Sequence, residues 1–260
     1  MRGSATGRIP FLNPVSSIVA GFLRRAPSTP EQLESGLVVM LPGIECSTWQ
    51  FAGTVLALRE GGMGRAVKIV QWGGYPLRSM GNLMNLRVNR ERARSVAGQI
   101  AGYAGDYPGR PITLIGYSGG GGMAILTAEA LPEEVELQRI ILIAAAISPC
   151  YDLSAALAHS RLGLVNFHSP RDWFFLGMGT NVFGTIDRCR TVSAGRVGFR
   201  DAQGLAVQSD RIVQIAWTPR WRDDYGHDGG HIGWLSRGWA RELLVPWIES
   251  ADARVEVPHC

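Results

Sequence analysis

The sequence predicts an α/β fold, a mostly parallel sheet of about six strands with helices on both faces. Three observations lead there. From Gly36 onward, apolar runs of strand length alternate with segments of helix length, the order that βα units produce. The runs are apolar throughout rather than at every second residue. That marks strands covered on both faces, as parallel strands are. The chain also has 260 residues, of which 46% are hydrophobic and 18% charged, enough for one large domain with a sizeable core.

Residues 1–35 read as an irregular N-terminal arm and 36–260 as one domain. Leu37-Val38-Val39-Met40-Leu41 is the first strand, and a helix is predicted from Thr48 to Arg59. Ala66 to Trp72 forms the second strand. Asn85 is placed to cap a long helix reaching about Tyr103. Arg87, Arg90, Arg92 and Arg94 gather on it and read as a solvated helix face rather than a nucleic-acid patch. Ile112 to Ile115 is the third strand and Arg139 to Ile147 the fourth. Tyr151 to Ser160 reads as helix, with Asp152 as its cap. Leu164 to His168 is the fifth strand. Trp173 to Thr191, with several glycines, fits neither pattern cleanly. Arg211 to Trp217 is the last strand. A C-terminal helix is predicted from Arg237 to Glu249, with Pro246 late in it.

The most informative stretch joins the third strand to the next helix: Gly116-Tyr117-Ser118-Gly119-Gly120, followed by an apolar run from Met123 through Ala130. Strand, sharp turn with Ser at its apex, then helix is the layout of a nucleophile elbow, G-x-S-x-G. The turn cramps the Ser backbone. Its neighbours two positions either side must lack a Cβ to clear the incoming strand and outgoing helix, and Gly116 and Gly120 do. Two other glycine-loop readings fail. Gly119, Gly121 and Ala124 fit a dinucleotide loop, but that motif needs an acidic residue near the end of the next strand. This strand ends Ala145-Ala146-Ile147-Ser148. A phosphate-binding Walker loop needs a Lys after the glycines, and none follows.

On these residues the sequence resembles the α/β-hydrolase family over about residues 36 to 248. The resemblance implies a chain order of nucleophile, acid and histidine, following the third, fifth and sixth strands. Ser118 fills the first slot. Asp172, in the loop after the fifth strand, fills the second, with Asp187 as the next candidate. The third falls on the loop after the sixth strand, which holds two of the chain's five histidines, His227 and His231. His231 is preferred. Gly229-Gly230 before it permit a tight loop, the apolar stretch after it can anchor that loop, and Gly-His before a short apolar stretch resembles the family's histidine loop. His227 remains the alternative. A metal reading of His227, Asp228 and His231 suffers from the glycines between them, which spoil the helical spacing such ligands use. The family's oxyanion hole would be formed by the N–H groups of Gly119 and Ile44. Pro42-Gly43 stands where the family often has His-Gly. Trp49 is a candidate to line the substrate pocket, or a core residue. Only about 17 residues separate the fourth and fifth strands, so little or no cap is expected. Gly177 to Gly204 would be the only room for a mobile lid.

The expected activity is that of a serine hydrolase acting on small-molecule acyl esters or thioesters, with no cofactor and no metal. Acyl transfer or peptide hydrolysis on the same groups, or a binding protein without turnover, are the alternatives. A net charge of +4 with scattered arginines gives no sign of a nucleic-acid partner. Cys46, Cys150, Cys189 and Cys260 lie far apart, against a zinc site or a dense disulfide framework, though one bridge could form. No run approaches the roughly 20 apolar residues of a membrane span. Ile18 to Leu23 is too short for a secretory segment. A cytoplasmic location is the expectation, and oligomeric state is not legible.

Overall fold

In the computed structural model, which describes residues 28–46, 48–73, 85–172 and 184–255, each of the six runs read as strands contains a strand, though the second ends at Ile69 and the fourth at Ile143. These are β1 (Leu37–Leu41), β2 (Ala66–Ile69), β3 (Ile112–Tyr117), β4 (Arg139–Ile143), β5 (Leu164–His168) and β6 (Ile212–Ala216). They form one sheet in the order β2-β1-β3-β4-β5-β6, with every neighbouring pair parallel. Every residue of β1, β3 and β4 is buried, which explains why their sequences do not alternate. The side chains still point alternately. Leu37, Val39 and Leu41 join one core while Val38 and Met40 join the other.

The first core lies under α3 (Leu86–Asp106), α4 (Gly119–Glu129) and α5 (Ser154–Ala158). On α3 the buried residues include Ala93, Val96, Ala97, Ile100 and Tyr103, a 3.6-residue period. Arg87, Arg90 and Arg94 are exposed on its far side. Asn85 caps it as expected, its side chain accepting the Val88 N–H at 3.1 Å. The second core lies under α2 (Ala52–Glu60) and the C-terminal helices. A short α1 (Pro30–Ser35) precedes the sheet, and α6 (Ala194–Val197) and α7 (Arg220–Tyr225) lie in the connections around β6.

Several boundaries differ from expectation for local reasons. The segment from Thr48 opens as a 3-10 turn to Phe51 before α2 begins. Asp152 does not cap α5. Its carboxylate accepts the Ser154 N–H and hydroxyl at 2.9 and 2.6 Å, closing a turn ahead of the helix. The C-terminal helix divides into α8 (Arg237–Trp239), a π-helical turn (Ala240–Leu244) and α9 (Val245–Glu249). Pro246 lacks an N–H and its ring crowds the carbonyl four residues back; the wider turn before it absorbs the mismatch.

The β4–β5 connection carries only the five-residue α5, so no cap stands there. The described part of the expected lid, from residue 184 on, is laced to the segment that follows β4. Ile186, Ala194 and Gly195 donate their N–H groups to Ala146, Ile147 and Ala145 at 2.8–3.0 Å. The arm up to residue 27, residues 173–183 and Cys260 lie outside the described residues. Cys46, Cys150 and Cys189 are unbridged. Among the described residues, no helix is long and apolar enough to cross a membrane.

Candidate active site

The sheet order reverses at β1, which has β2 on one side and β3 on the other. In open α/β sheets, the crevice beyond the carboxyl ends of the strands at such a point is where ligands gather. The loop after β1 and the turn after β3 meet there, and the turn is built around Ser118. It has φ 55° and ψ −122°, a conformation costing an L-residue on the order of 1–3 kcal/mol. Three backbone bonds hold it: its N–H donates to Ile143 O, and its carbonyl accepts from the N–H groups of Gly121 and Ala146, all at 2.9 Å. A Cβ on Gly116 would lie 2.6 Å from Gly121 Cα, and one on Gly120 2.6 Å from the Leu41 carbonyl carbon. Both are closer than carbon atoms approach, so the glycine demand read from the sequence is real. Ser118 precedes α4 but makes no side-chain cap to it. Its hydroxyl is turned the other way.

There it meets His231, whose Nε2 lies 3.0 Å from Ser118 Oγ. The other ring nitrogen, Nδ1, donates to Asp172 Oδ2. A carboxylate only accepts, so Nδ1 carries the hydrogen and Nε2 is left to accept from the serine hydroxyl. The Asp172 side chain is 1% exposed and that of His231 10%. Two loops are stitched to make this meeting. The Asp172 N–H donates to Ser169 O at 3.2 Å, and the Ser169 hydroxyl donates to Gly229 O at 2.6 Å. The Arg171 guanidinium lies 5.2 Å from the centre of the ring of Trp217, the residue just after β6.

The alternatives go elsewhere. Asp187 accepts the Ser148 N–H at 3.0 Å and pins the loop after β4. His227 is fully buried among Trp217, Trp221, Trp234 and Trp239, its ring centroid 4.2 Å from that of Trp234. Burial among indoles pushes its pKa down to about 4, against the opposing pull of Asp228. Since His227 faces the indoles and His231 faces Ser118, the two do not converge on one cation.

Gly119 opens α4, and a Cβ on it would lie 3.2 Å from the Ile44 backbone nitrogen. The Ile44 amide nitrogen therefore lies against Gly119, the residue that follows Ser118. The Ile44 loop is fixed by Cys46 N–H on Gly43 O at 2.8 Å and by the Trp72 indole on Pro42 O at 2.7 Å. The eleven-residue α4 points its N-terminus, the positive end of its dipole, at the same place. Trp49 sits in the 3-10 turn that follows, 43% exposed, so it is not a core residue.

Two contributors were not singled out from the sequence. Ser169 was hidden in the fifth-strand loop. Tyr117 occupies the variable position of the elbow; its buried hydroxyl donates to the His231 backbone carbonyl at 2.9 Å, and its ring lies 5.1 Å from the imidazole. Burial raises the Tyr117 pKa well above its ordinary value, with Glu45 and Asp172 pushing the same way. A large polar side chain at the end of an otherwise apolar strand was the only available signal.

No protein-family model matches the sequence, and no curated protein matches it. Solved structures do. Lipase B from Aspergillus fumigatus aligns with a TM-score of 0.52 at 14% identity, covering 88% of this chain and 57% of the lipase. The RedJ thioesterase of the prodiginine pathway in Streptomyces coelicolor is 20% identical over 56% of this chain and 53% of its own, with a TM-score of 0.33. A CIB-like hydrolase from Thermoplasma acidophilum is 14% identical over 84% of this chain and 87% of its own, with a TM-score of 0.43. The chain thus spans little more than half the length of the lipase and the thioesterase. With that likeness over most of its length and its six-stranded parallel sheet flanked by helices, the chain has the α/β-hydrolase fold.

Proposed function

We propose that the protein is a serine hydrolase that cleaves carboxylic esters or thioesters through an acyl-enzyme. One observation carries the reading: the unbroken line from Ser118 Oγ through the His231 imidazole to the Asp172 carboxylate. A serine hydroxyl is a weak nucleophile until a base can take its proton. His231 Nε2 is at the right distance and in the right tautomer to do so. The shared fold does not decide the matter, because one fold hosts many chemistries. The neighbour named as a lipase is in keeping with the reading and no more.

In the proposed cycle Ser118 Oγ bonds to the acyl carbon as its proton passes to His231 Nε2. The carbonyl electrons move onto oxygen, where the N–H groups of Gly119 and Ile44 receive the charge at the positive end of α4. The carbonyl reforms and the bond to the leaving oxygen or sulfur breaks, taking the proton from His231. Water then attacks the acyl-serine with His231 again as base, releasing the acid and restoring Ser118. Asp172 holds the imidazole in register and stabilises its protonated form. Trp49 is the side chain we assign to the substrate's approach. With no cap between β4 and β5, short and medium acyl groups are the expected substrates.

Ser118→Ala tests this directly. Expected is loss of fluorophosphonate labelling and a fall of about 10⁴-fold or more in p-nitrophenyl ester turnover. Labelling and turnover at the wild-type level in a folded Ser118→Ala protein would overturn the reading.

A further inference from the structure

His231 hangs on a loop that follows an edge strand, and two buried side chains outside the Ser–His–Asp line grip that loop at either end. Tyr117, the residue immediately before Ser118, donates its hydroxyl to the backbone carbonyl of His231 itself at 2.9 Å. His227 accepts the Gly229 N–H on its Nδ1 at 3.0 Å. We propose that Tyr117 and His227 are positioning residues, which together hold His231 in register with Ser118. The proposal rests on the reading of Ser118 and His231 as the reacting pair.

Tyr117 ties base to nucleophile by the shortest covalent route the chain offers. It is 3% exposed, the last residue of β3, and bonded through one peptide unit to Ser118. Any shift of the histidine loop relative to the turn must stretch the Tyr117 bond. The Phe51 ring meets the Tyr117 ring edge-on at 6.0 Å and helps fix its rotamer.

His227 secures the other end by a different device. Four indoles enclose the imidazole, and the Trp217 indole N–H donates to the His227 carbonyl at 2.9 Å. The ring therefore cannot swing, and its Nδ1 lone pair stays aimed at the Gly229 amide. That bond requires the neutral imidazole with its hydrogen on Nε2, and the dry cage enforces the neutral form. The Gly229 carbonyl is taken by Ser169, next to the Asp172 turn. Gly229 is thus held on both faces, two residues before His231.

The consequence is geometric. A misplacement of about 1 Å in a reacting group can cost on the order of 10²-fold in rate. The polar group of each side chain bonds to main-chain atoms of the histidine loop, so each acts through the placement of His231.

The test uses the full chain, a fluorophosphonate probe and p-nitrophenyl butyrate, with thermal unfolding measured in parallel. Tyr117→Phe removes one oxygen and keeps the ring. It is expected to slow Ser118 labelling and to lower kcat by about 10- to 100-fold with KM little changed. His227→Leu should do the same. His227→Asn, whose amide oxygen can take the place of Nδ1, should recover most of the loss. Wild-type labelling and kcat in Tyr117→Phe and His227→Leu, in a protein whose Ser118→Ala variant does not label, would overturn the clamp and leave the hydrolase reading standing. So would variants whose melting temperature falls while kcat per folded molecule stays at wild type. Labelling that survives Ser118→Ala removes both.

Discussion

Gly120 has no Cβ because the end of β1 occupies the space one would need. That obstacle is backbone, which cannot move aside as a flexible side chain does. Gly120→Ala should therefore cost about 3 kcal/mol, read as a lower urea midpoint with an unchanged slope. A stability equal to wild type would mean that α4 can slide outward and that the turn is looser than its contacts indicate. The neighbouring residue illustrates the complementary point. Ser118 has an unfavourable φ, yet three backbone bonds hold it there. Released from them, a serine before a helix would turn its hydroxyl onto the helix N-terminus as a cap. Local strain is thus what keeps the oxygen aimed at His231.

At the scale of elements, α3 offers the cleanest forecast. Its only side-chain cap is Asn85, and Asn85→Ala should lower unfolding free energy by about 1 kcal/mol, measurable by urea titration; no change would show that water replaces the cap. This helix was legible because its apolar period and its cap are both local. The strands were legible because complete burial leaves an uninterrupted apolar run, and Leu37–Leu41 and Leu164–His168 fall where the sequence places them. Helix ends around Asp152 and Pro246 were not, because a competing turn and a π-helical turn decide them. The meeting of Ser118, Asp172 and His231 follows the order that the family resemblance implies, on loops that parallel strands deliver to the same rim. Choosing between His227 and His231 was harder from sequence. Both have glycine neighbours, and what separates them is the convergence of indoles from positions 217, 221, 234 and 239. Tyr117 and Ser169 could not be read at all, because their partners are main-chain atoms 114 and 60 residues away.

For the molecule as a whole, the His227 cage couples stability to acidity. The unfolded chain takes up a proton near the ordinary value of 6.5, while the folded chain resists until about 4. Between those limits the unfolded state binds more protons, so stability falls as pH drops from about 6.5 to 4 and this loss levels off below. The full shift is worth about 3 kcal/mol. Half-buried His168, whose pKa is also lowered by desolvation, adds in the same direction. Urea titrations at pH 7, 5 and 4 should show the decline, with a smaller decline in His227→Asn; equal declines would place the acid sensitivity elsewhere. The sheet order has a temporal consequence as well. His231 lies 113 residues beyond Ser118, after the last strand. At synthesis rates of about 5–20 residues per second, roughly 6 to 23 s separate the emergence of the two. Through that interval a nascent chain on the ribosome carries Ser118 with no imidazole at 231 to accept its hydroxyl hydrogen.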